Sequence, residues 1–249
     1  MSWAASASRP HRRAPADPRG ATLLSTDASR DSRPGVRWLG AQRHVFANDL
    51  TGHVALEALS AAAHLYALGP LEGLRGEVSI FDSTPSIARI RDDEIITEST
   101  WKARACFLVW ADVSAWTWQL LDPVPLDLEA LEGPLAVLAR EAGHDAEEPL
   151  PFLVTGTAAE MALHVLDKRD GLPHDAERHE QAKVRRTLRG ETVELIGFRS
   201  PRHRGIFTPR ESNLHVHLRT ADGRISGHLE TIRLAPGARL AVPARGWRQ

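Results

Sequence analysis

Residues 213–219 read Asn-Leu-His-Val-His-Leu-Arg, and residues 227–230 read Gly-His-Leu-Glu. The first of these segments alternates apolar and polar positions in the way that is typical of a half-buried β-strand. Successive side chains on a strand point to opposite faces, so we expect the imidazoles of His215 and His217 to lie on the same face. The sequence around these residues decides which fold and which chemistry are predicted for the chain.

The residues between the two segments, Ala-Asp-Gly at 221–223, have the composition of a tight turn and predict a β-hairpin. On the second strand of that hairpin, His228 would lie beside His215 and His217. Three converging neutral imidazoles are the protein ligands of a catalytic zinc site whose remaining position is open to substrate or water. Copper, nickel, cobalt and iron also bind such donors, so we predict a divalent-metal site with zinc preferred. A chance pair of exposed histidines is the alternative interpretation.

Most of the remaining chain also favours β-structure, because short apolar or alternating runs are bounded by turn-forming residues. The predicted strands cover residues 77–81, 86–90, 106–110, 116–121, 151–155, 160–165, 187–189, 192–199, 214–220 and 227–234. Residues 53–68 and 125–143 instead have apolar residues at helical spacing and predict two helices. Few helices among many short strands indicate an α+β fold with mostly antiparallel strands.

The first 36 residues are rich in Ala, Ser, Arg, Pro and Asp. Such a segment buries too little apolar surface to offset its ordering entropy, so we predict a disordered N-terminal segment at residues 1–36 and a folded domain at 37–249. The segment lacks the apolar middle region of a secretory signal, although an Arg-rich and Ser-rich start also occurs in transit peptides.

The charge balance argues against several classes of partner. The chain has 31 basic and 32 acidic side chains, which gives no general attraction to nucleic acid or to an anionic membrane. No apolar stretch reaches the eighteen or so residues that span a bilayer. Cys106 is the single cysteine, which excludes an internal disulfide, and a reducing cytoplasm is the expected compartment. We expect a small-molecule substrate as the partner, with a homodimer left open.

Two motifs of the chain match a known family. Gly-Phe-Arg-Ser-Pro at residues 197–201 precedes the His-x-His strand, and Gly-His-Leu follows at residues 227–229. Upstream, residues 69–82 contain a Gly-Glu pair that opens a predicted strand at Glu77. This arrangement resembles the α-acetolactate decarboxylases over roughly residues 53–234. The resemblance implies a two-domain α+β fold, here with similar subdomains at residues 37–145 and 146–249.

The resemblance also implies an activity. Family members bind zinc through three histidines and convert 2-acetolactate to acetoin and CO₂ without an organic cofactor. Carried over to this chain, His215, His217 and His228 would be the metal ligands and Glu77 the active-site carboxylate. The metal would act as a Lewis acid for the enediolate that remains when CO₂ leaves, and the carboxylate would manage a proton. Taken alone, Glu77 would be read as an exposed strand residue.

Other positions depart from the family pattern. His164 stands where counting from Gly156 places the arginine that holds the substrate carboxylate, and Pro70 stands where the family has a threonine. His164 would then act as a catalytic residue, as a cation or a hydrogen-bond donor. Alternatively, an arginine such as Arg169 replaces the family arginine, or the substrate differs.

The C-terminal end departs as well. The family brings a second glutamate into the site from its tail, but residues 235–249 contain no acidic residue. Glu230 is the nearest acidic residue to His228 and would share its strand face. The predicted function is therefore a metal-dependent decarboxylase. The alternatives are a metal-dependent lyase, isomerase or hydrolase acting on another oxygen-chelating substrate, and a non-catalytic metal-binding or small-molecule-binding protein.

Overall fold

The structure, a computed structural model, describes residues 35–145 and 147–247. The predicted disordered segment at residues 1–36 lies outside the described residues except for its last two positions, and it stays a prediction. The described strands are β1 Arg37–Leu39, β2 Val54–Ala55, β3 Leu65–Pro70, β4 Glu77–Phe81, β5 Thr84–Arg91, β6 Glu94–Glu98, β7 Arg104–Ala105, β8 Leu108–Asp112, β9 Trp116–Leu120, β10 Leu150–Leu166, β11 Lys183–Leu188, β12 Thr192–Arg199, β13 Leu214–Thr220, β14 Ser226–Leu234 and β15 Arg239–Pro243. The helices are α1 Gln42–Phe46, α2 Leu128–Glu141 and α3 Ala176–Gln181.

The strands form two large sheets and one small one. The first has the order β1-β8-β3-β4-β5-β6, and β2 pairs only with β7. The second has the order β12-β13-β14-β10-β15-β9, with β11 joined to β10. All strand pairings in these sheets are antiparallel. The prediction of an α+β fold with mostly antiparallel sheets and few helices is confirmed.

Strand β10 organises the second sheet because its two halves pair with different partners. Its first half pairs with β12 and β15, and its second half pairs with β14 and β11. The strands β12, β13, β14 and β10 therefore form a closed ring of pairings. The hairpin that carries the histidines is part of this ring, so its register is set on both sides.

The two sheets share a core that brings strand β4 against the histidine hairpin. Tyr66, Leu68 and Val109 of the first sheet pack with Ile196 and Phe198 of the second, and all five are buried. In the same interface, β4 packs against β13 and β14. This contact between sheets positions the functional site, because it places residues far apart in the sequence side by side.

One predicted helix is wrong. Residues 53–68 are expected from their spacing to form an amphipathic helix, but they contain β2, a 3₁₀ turn at Leu56–Leu59 and the start of β3. All six residues of β3 are buried between β4 and β8. A strand in the centre of a sheet that is covered on both faces is apolar throughout, and such a run can imitate helical spacing. Pairing with two neighbouring strands overrides the local pattern.

The second predicted helix is confirmed as α2. Asp127 precedes it and its side chain accepts a hydrogen bond from the backbone N–H of Ala130 at 2.7 Å, which caps the helix N-terminus. Its apolar face, formed by Leu131, Leu135 and Leu138, is buried. No helix within residues 35–145 or 147–247 is long and apolar enough to cross a membrane.

The boundaries of other elements differ from expectation. The strands predicted at 151–155 and 160–165 are one continuous strand, β10, which passes through Gly156. Strand β11 begins at Lys183, before the strand predicted at 187–189, and neither β15 nor helix α3 is predicted from the sequence. Strand β9 pairs with β15 in the second sheet although it lies within residues 37–145. The division into subdomains at residue 145 stays a prediction.

Candidate metal centre

Three histidines converge at the hairpin of β13 and β14. His217 on β13 is directly opposite His228 on β14, and His215 is on the same face of β13 as His217. The ring centroids are 4.9 to 5.3 Å apart, and one ligand atom from each ring lies within 4.8 Å of the others. The three histidines are thus positioned to bind a metal ion. His215 and His217 are buried, and His228 is partly exposed.

Two features of the ring nitrogens fit a divalent ion. Nε2 of His215 lies 3.1 Å from Nδ1 of His228. Nitrogens bound tetrahedrally to the same zinc ion at about 2.0–2.1 Å lie about 3.3 Å apart, so the observed spacing suits shared coordination. Nε2 of His217 is buried and has no hydrogen-bond partner. A buried nitrogen without a partner costs roughly 1–3 kcal/mol, a penalty that coordination to a metal removes.

In His215 and His217, a hydrogen bond holds the ring at Nδ1, the nitrogen on the other side of the ring from Nε2. Nδ1 of His215 donates to the carbonyl oxygen of Phe207 at 2.7 Å, which leaves Nε2 free to coordinate. Nδ1 of His217 is 3.1 Å from Oγ of Ser79 on β4. Oγ of Ser226 is in turn 3.1 Å from Oγ of Ser79 and 2.9 Å from the carbonyl oxygen of Leu218. None of these supporting residues is predicted from the sequence. Ser79 is 138 positions from His217 along the chain, and the roles of Phe207 and Ser226 have no local sequence signal.

Burial keeps the three imidazoles neutral. Removal from water lowers the pKa of His215 to about 4 and lowers the pKa values of His217 and His228 well below their ordinary value. The other histidines of the cluster lower them further by mutual repulsion of their charged forms. Metal binding requires a deprotonated ring nitrogen, so the site is in the correct protonation state at neutral pH.

Glu77 is the acidic group next to the histidines. It is the first residue of β4, is 2% exposed, and its Oε2 is 3.8 Å from Nε2 of His217. Its other oxygen, Oε1, is buried without a hydrogen-bond partner. Burial raises the pKa of Glu77 well above its ordinary value, although a hydrogen bond from the backbone N–H of Leu166 and the charge of Lys183 act in the opposite direction. The structure therefore places a carboxyl group that can hold a proton beside the histidine cluster.

His164 lies next to the cluster but is not part of the triad. It is opposite His228 in the pairing of β10 with β14, and the two rings stack with centroids 4.6 Å apart. Its Nδ1 is 3.1 Å from Oε1 of Glu230, a carboxylate that also accepts from Arg185. The hydrogen bonds from His164 and Arg185 lower the pKa of Glu230 to about 2, whereas burial lowers the pKa of His164. Burial thus favours the neutral form of His164, and the carboxylate of Glu230 holds its ring in place.

A cavity of about 190 Å³ opens beside these residues. Its polar lining consists of Glu77, His164, His179, Lys183, His215, His228 and Gln42. The rest of the lining is apolar and comes from Val45, Phe46, Pro70, Leu74, Phe107, Leu166 and Pro209. Lys183 and His179 are not predicted from the sequence. The available signal was that Lys183 is one of only three lysines in an arginine-rich chain.

The sequence matched no protein-family model and no curated protein. Solved structures do match. A protein of Staphylococcus aureus, described as of unknown function and similar to α-acetolactate decarboxylase, is 13% identical with a TM-score of 0.65, over 84% of this chain and 85% of that one. The α-acetolactate decarboxylase of Bacillus subtilis strain 168 is 12% identical with a TM-score of 0.65, over the same shares of the two chains. The acetolactate decarboxylase of Bacillus subtilis subspecies spizizenii is 11% identical with a TM-score of 0.66, over 84% and 86%.

The chain has the acetolactate decarboxylase fold. At this level of identity the comparison shows the fold alone. Within this fold, Pro70 lines the cavity. Arg169 pairs with Asp167 and is not among the described residues that line the cavity. The arginine considered as a replacement for the family arginine is therefore not at the site.

Proposed function

We propose that the chain is a metal-dependent carboxy-lyase that converts 2-acetolactate, or a related 2-hydroxy-3-oxo acid, to CO₂ and the corresponding hydroxyketone, which is acetoin for 2-acetolactate. One observation carries the proposal. A buried carboxyl group, Glu77, lies 3.8 Å from a histidine whose Nε2 has no hydrogen-bond partner, within a set of three histidines suited to a divalent ion. The acetolactate decarboxylase fold supports it.

His215, His217 and His228 would hold the ion, most suitably zinc. When bound, such an ion supplies a Lewis acid for the negative charge that develops on the substrate oxygens as CO₂ leaves. The loss of CO₂ breaks one carbon–carbon bond and leaves its electron pair on the hydroxyketone fragment as an enediolate. That fragment then needs one proton at the carbon that lost CO₂.

Glu77 would deliver this proton. Burial raises its pKa, so its carboxyl group can hold a proton near neutral pH and donate it within the cavity. Leu74, Phe107 and Leu166 belong to the apolar lining of the same cavity, and such side chains offer no hydrogen bonds to water. His164 would complete the catalytic set. Its Nδ1 donates to Glu230, which leaves Nε2 as an acceptor for a substrate hydroxyl.

A second candidate is supported by the cavity lining. No arginine is among the described residues that line the cavity, so the substrate group that the family arginine would hold is bound differently or is absent. The candidate is a metal-dependent lyase or isomerase acting on another oxygen-chelating substrate. A non-catalytic metal-binding protein would share the ligands but not need the proton on Glu77.

The test is metal analysis of purified protein followed by incubation with racemic 2-acetolactate. The proposal predicts equal amounts of CO₂ and acetoin from the zinc-loaded protein, and a loss of both after treatment with a chelator. Metal-loaded protein that releases no CO₂ from 2-acetolactate would refute the decarboxylase and favour the second candidate.

A further inference from the structure

We propose that Lys183 binds the carboxylate of the substrate and so selects 2-hydroxy acids over neutral hydroxyketones. The inference rests on the proposed function in one respect, namely that the substrate carries a carboxylate. Its first support is the composition of the cavity. Lys183 has the only permanently cationic side chain among the described residues that line it. The remaining polar lining is Gln42, Glu77 and four histidines.

Lys183 is placed close to the reacting groups by strand pairing. It is the first residue of β11 and lies opposite Leu166 of β10, two residues beyond His164. Its side chain is 17% exposed, so neighbouring residues cover the aliphatic part. These neighbours also determine where the ammonium group lies. An ammonium group at the cavity wall offers three hydrogen-bond donors to an entering carboxylate.

The neighbouring arginines form ion pairs with carboxylates outside the cavity lining. Arg185 forms ion pairs with Glu230 and Glu180. Arg178, on α3, pairs with Asp175 and Asp170. These side chains do not line the cavity, so the charge that a carboxylate meets there comes from Lys183.

A substrate carboxylate can replace a carboxylate that now pairs with Lys183. Its Nζ is 2.8 Å from Oε2 of Glu180 and 3.5 Å from Oε1 of Glu230. Glu180 is 57% exposed, and an ion pair with such a partner is weak because water screens it. A carboxylate within the cavity is screened less, so it can displace Glu180. Glu180 would therefore compete with the substrate for Lys183.

Calorimetric titration of the zinc-loaded protein with two probes tests the inference. One probe, 2-hydroxyisobutyrate, has a hydroxyl and a carboxylate, and the other, acetoin, has a hydroxyl and a carbonyl but no charge. We expect Lys183→Met to weaken binding of 2-hydroxyisobutyrate about 30-fold and to change binding of acetoin less than about twofold. Lys183→Arg should keep most of the affinity, and Glu180→Gln should raise it. Lys102→Met is the matched control.

The outcomes separate this inference from the proposed function. Unchanged binding of 2-hydroxyisobutyrate by Lys183→Met, equal weakening of both probes, or no binding of 2-hydroxyisobutyrate by the wild-type protein each overturns the role of Lys183. Lys183-dependent binding without CO₂ release from 2-acetolactate keeps the carboxylate site and refutes the decarboxylase. CO₂ release that Lys183→Met leaves unchanged keeps the decarboxylase and refutes the carboxylate site.

Discussion

Oε2 of Glu77 lies 3.8 Å from Nε2 of His217, although the two residues belong to different sheets. Neither Nε2 of His217 nor Oε1 of Glu77 has a hydrogen-bond partner. Buried polar atoms in native proteins are nearly always paired, and exceptions often mark functional groups or bound ligands. Two such atoms on neighbouring side chains therefore support a site that holds a metal and handles a proton.

The first prediction concerns the metal ligands. His217→Ala should abolish stoichiometric metal binding, because only two histidine ligands remain. Elemental analysis of purified wild-type protein should give about one divalent ion per chain. His64→Ala is the control, since His64 is on the surface and pairs with Asp82. Full metal content in His217→Ala would show that the ligands are assigned wrongly.

The second prediction concerns the hydroxyl group behind His217. Ser79→Ala should weaken zinc binding about 10- to 100-fold, because a ligand imidazole that loses its supporting hydrogen bond is oriented less well. Competition with a chromophoric chelator measures the effect. Ser200→Ala is the matched control, since it removes another Ser–His hydrogen bond, 2.7 Å long, between the buried Ser200 and the partly buried His203. Equal losses in the two variants would mean that the effect is a general loss of stability.

The third prediction concerns the proton. Glu77→Gln preserves the shape of the side chain but cannot transfer a proton, so CO₂ release from 2-acetolactate should fall about 100-fold or more while zinc content is kept. Glu57→Gln, at an exposed position, should retain the wild-type rate. A Glu77→Gln variant that is as active as wild type would assign the proton transfer to another group.

The fourth prediction concerns pH and the metal-free protein. His215 has a pKa of about 4 when folded and 6.5 ordinarily, so the unfolded chain binds a proton in this interval and the folded chain does not. Lowering the pH from about 6.5 to about 4 should therefore reduce the free energy of unfolding by roughly 3 kcal/mol through His215 alone. Glu77, whose folded pKa is raised, acts oppositely, but His217 and His228 add to the effect of His215.

Urea unfolding of chelator-treated protein at several pH values measures this dependence. The midpoint should fall steadily as the pH decreases through this interval. In His215→Ala the slope should be smaller, because one of the titrating groups is absent. A midpoint independent of pH would contradict burial of the histidines in their neutral form.

The fifth prediction concerns Gly227, which precedes the predicted ligand His228. A Cβ atom at this position would lie 2.7 Å from the backbone carbonyl oxygen of His164, and backbone in a sheet cannot move aside as a flexible side chain does. Gly227→Ala should cost about 1–3 kcal/mol of stability and weaken metal binding, because β14 must shift away from β10. Unchanged thermal stability would show that the two strands can separate without cost.

Local sequence determined the features that depend on neighbouring residues. The spacing of His215, His217 and His228 around a turn specifies a hairpin with its imidazoles together, because side chains alternate along a strand. Helix α2 also follows from a local pattern, with its cap at Asp127 and an apolar stripe. These elements form in the structure as their sequence predicts.

Tertiary structure decided the features that depend on distant pairing. Residues 65–70 became strand β3 because β4 and β8 pair with both of its edges, which no local periodicity reveals. The contact between sheets placed Ser79 and Glu77 beside His217, and the pairing of β11 with β10 placed Lys183 at the cavity. Such residues come together only when the whole core folds. The candidate ligands could therefore be predicted from the sequence, whereas the groups that support them could not.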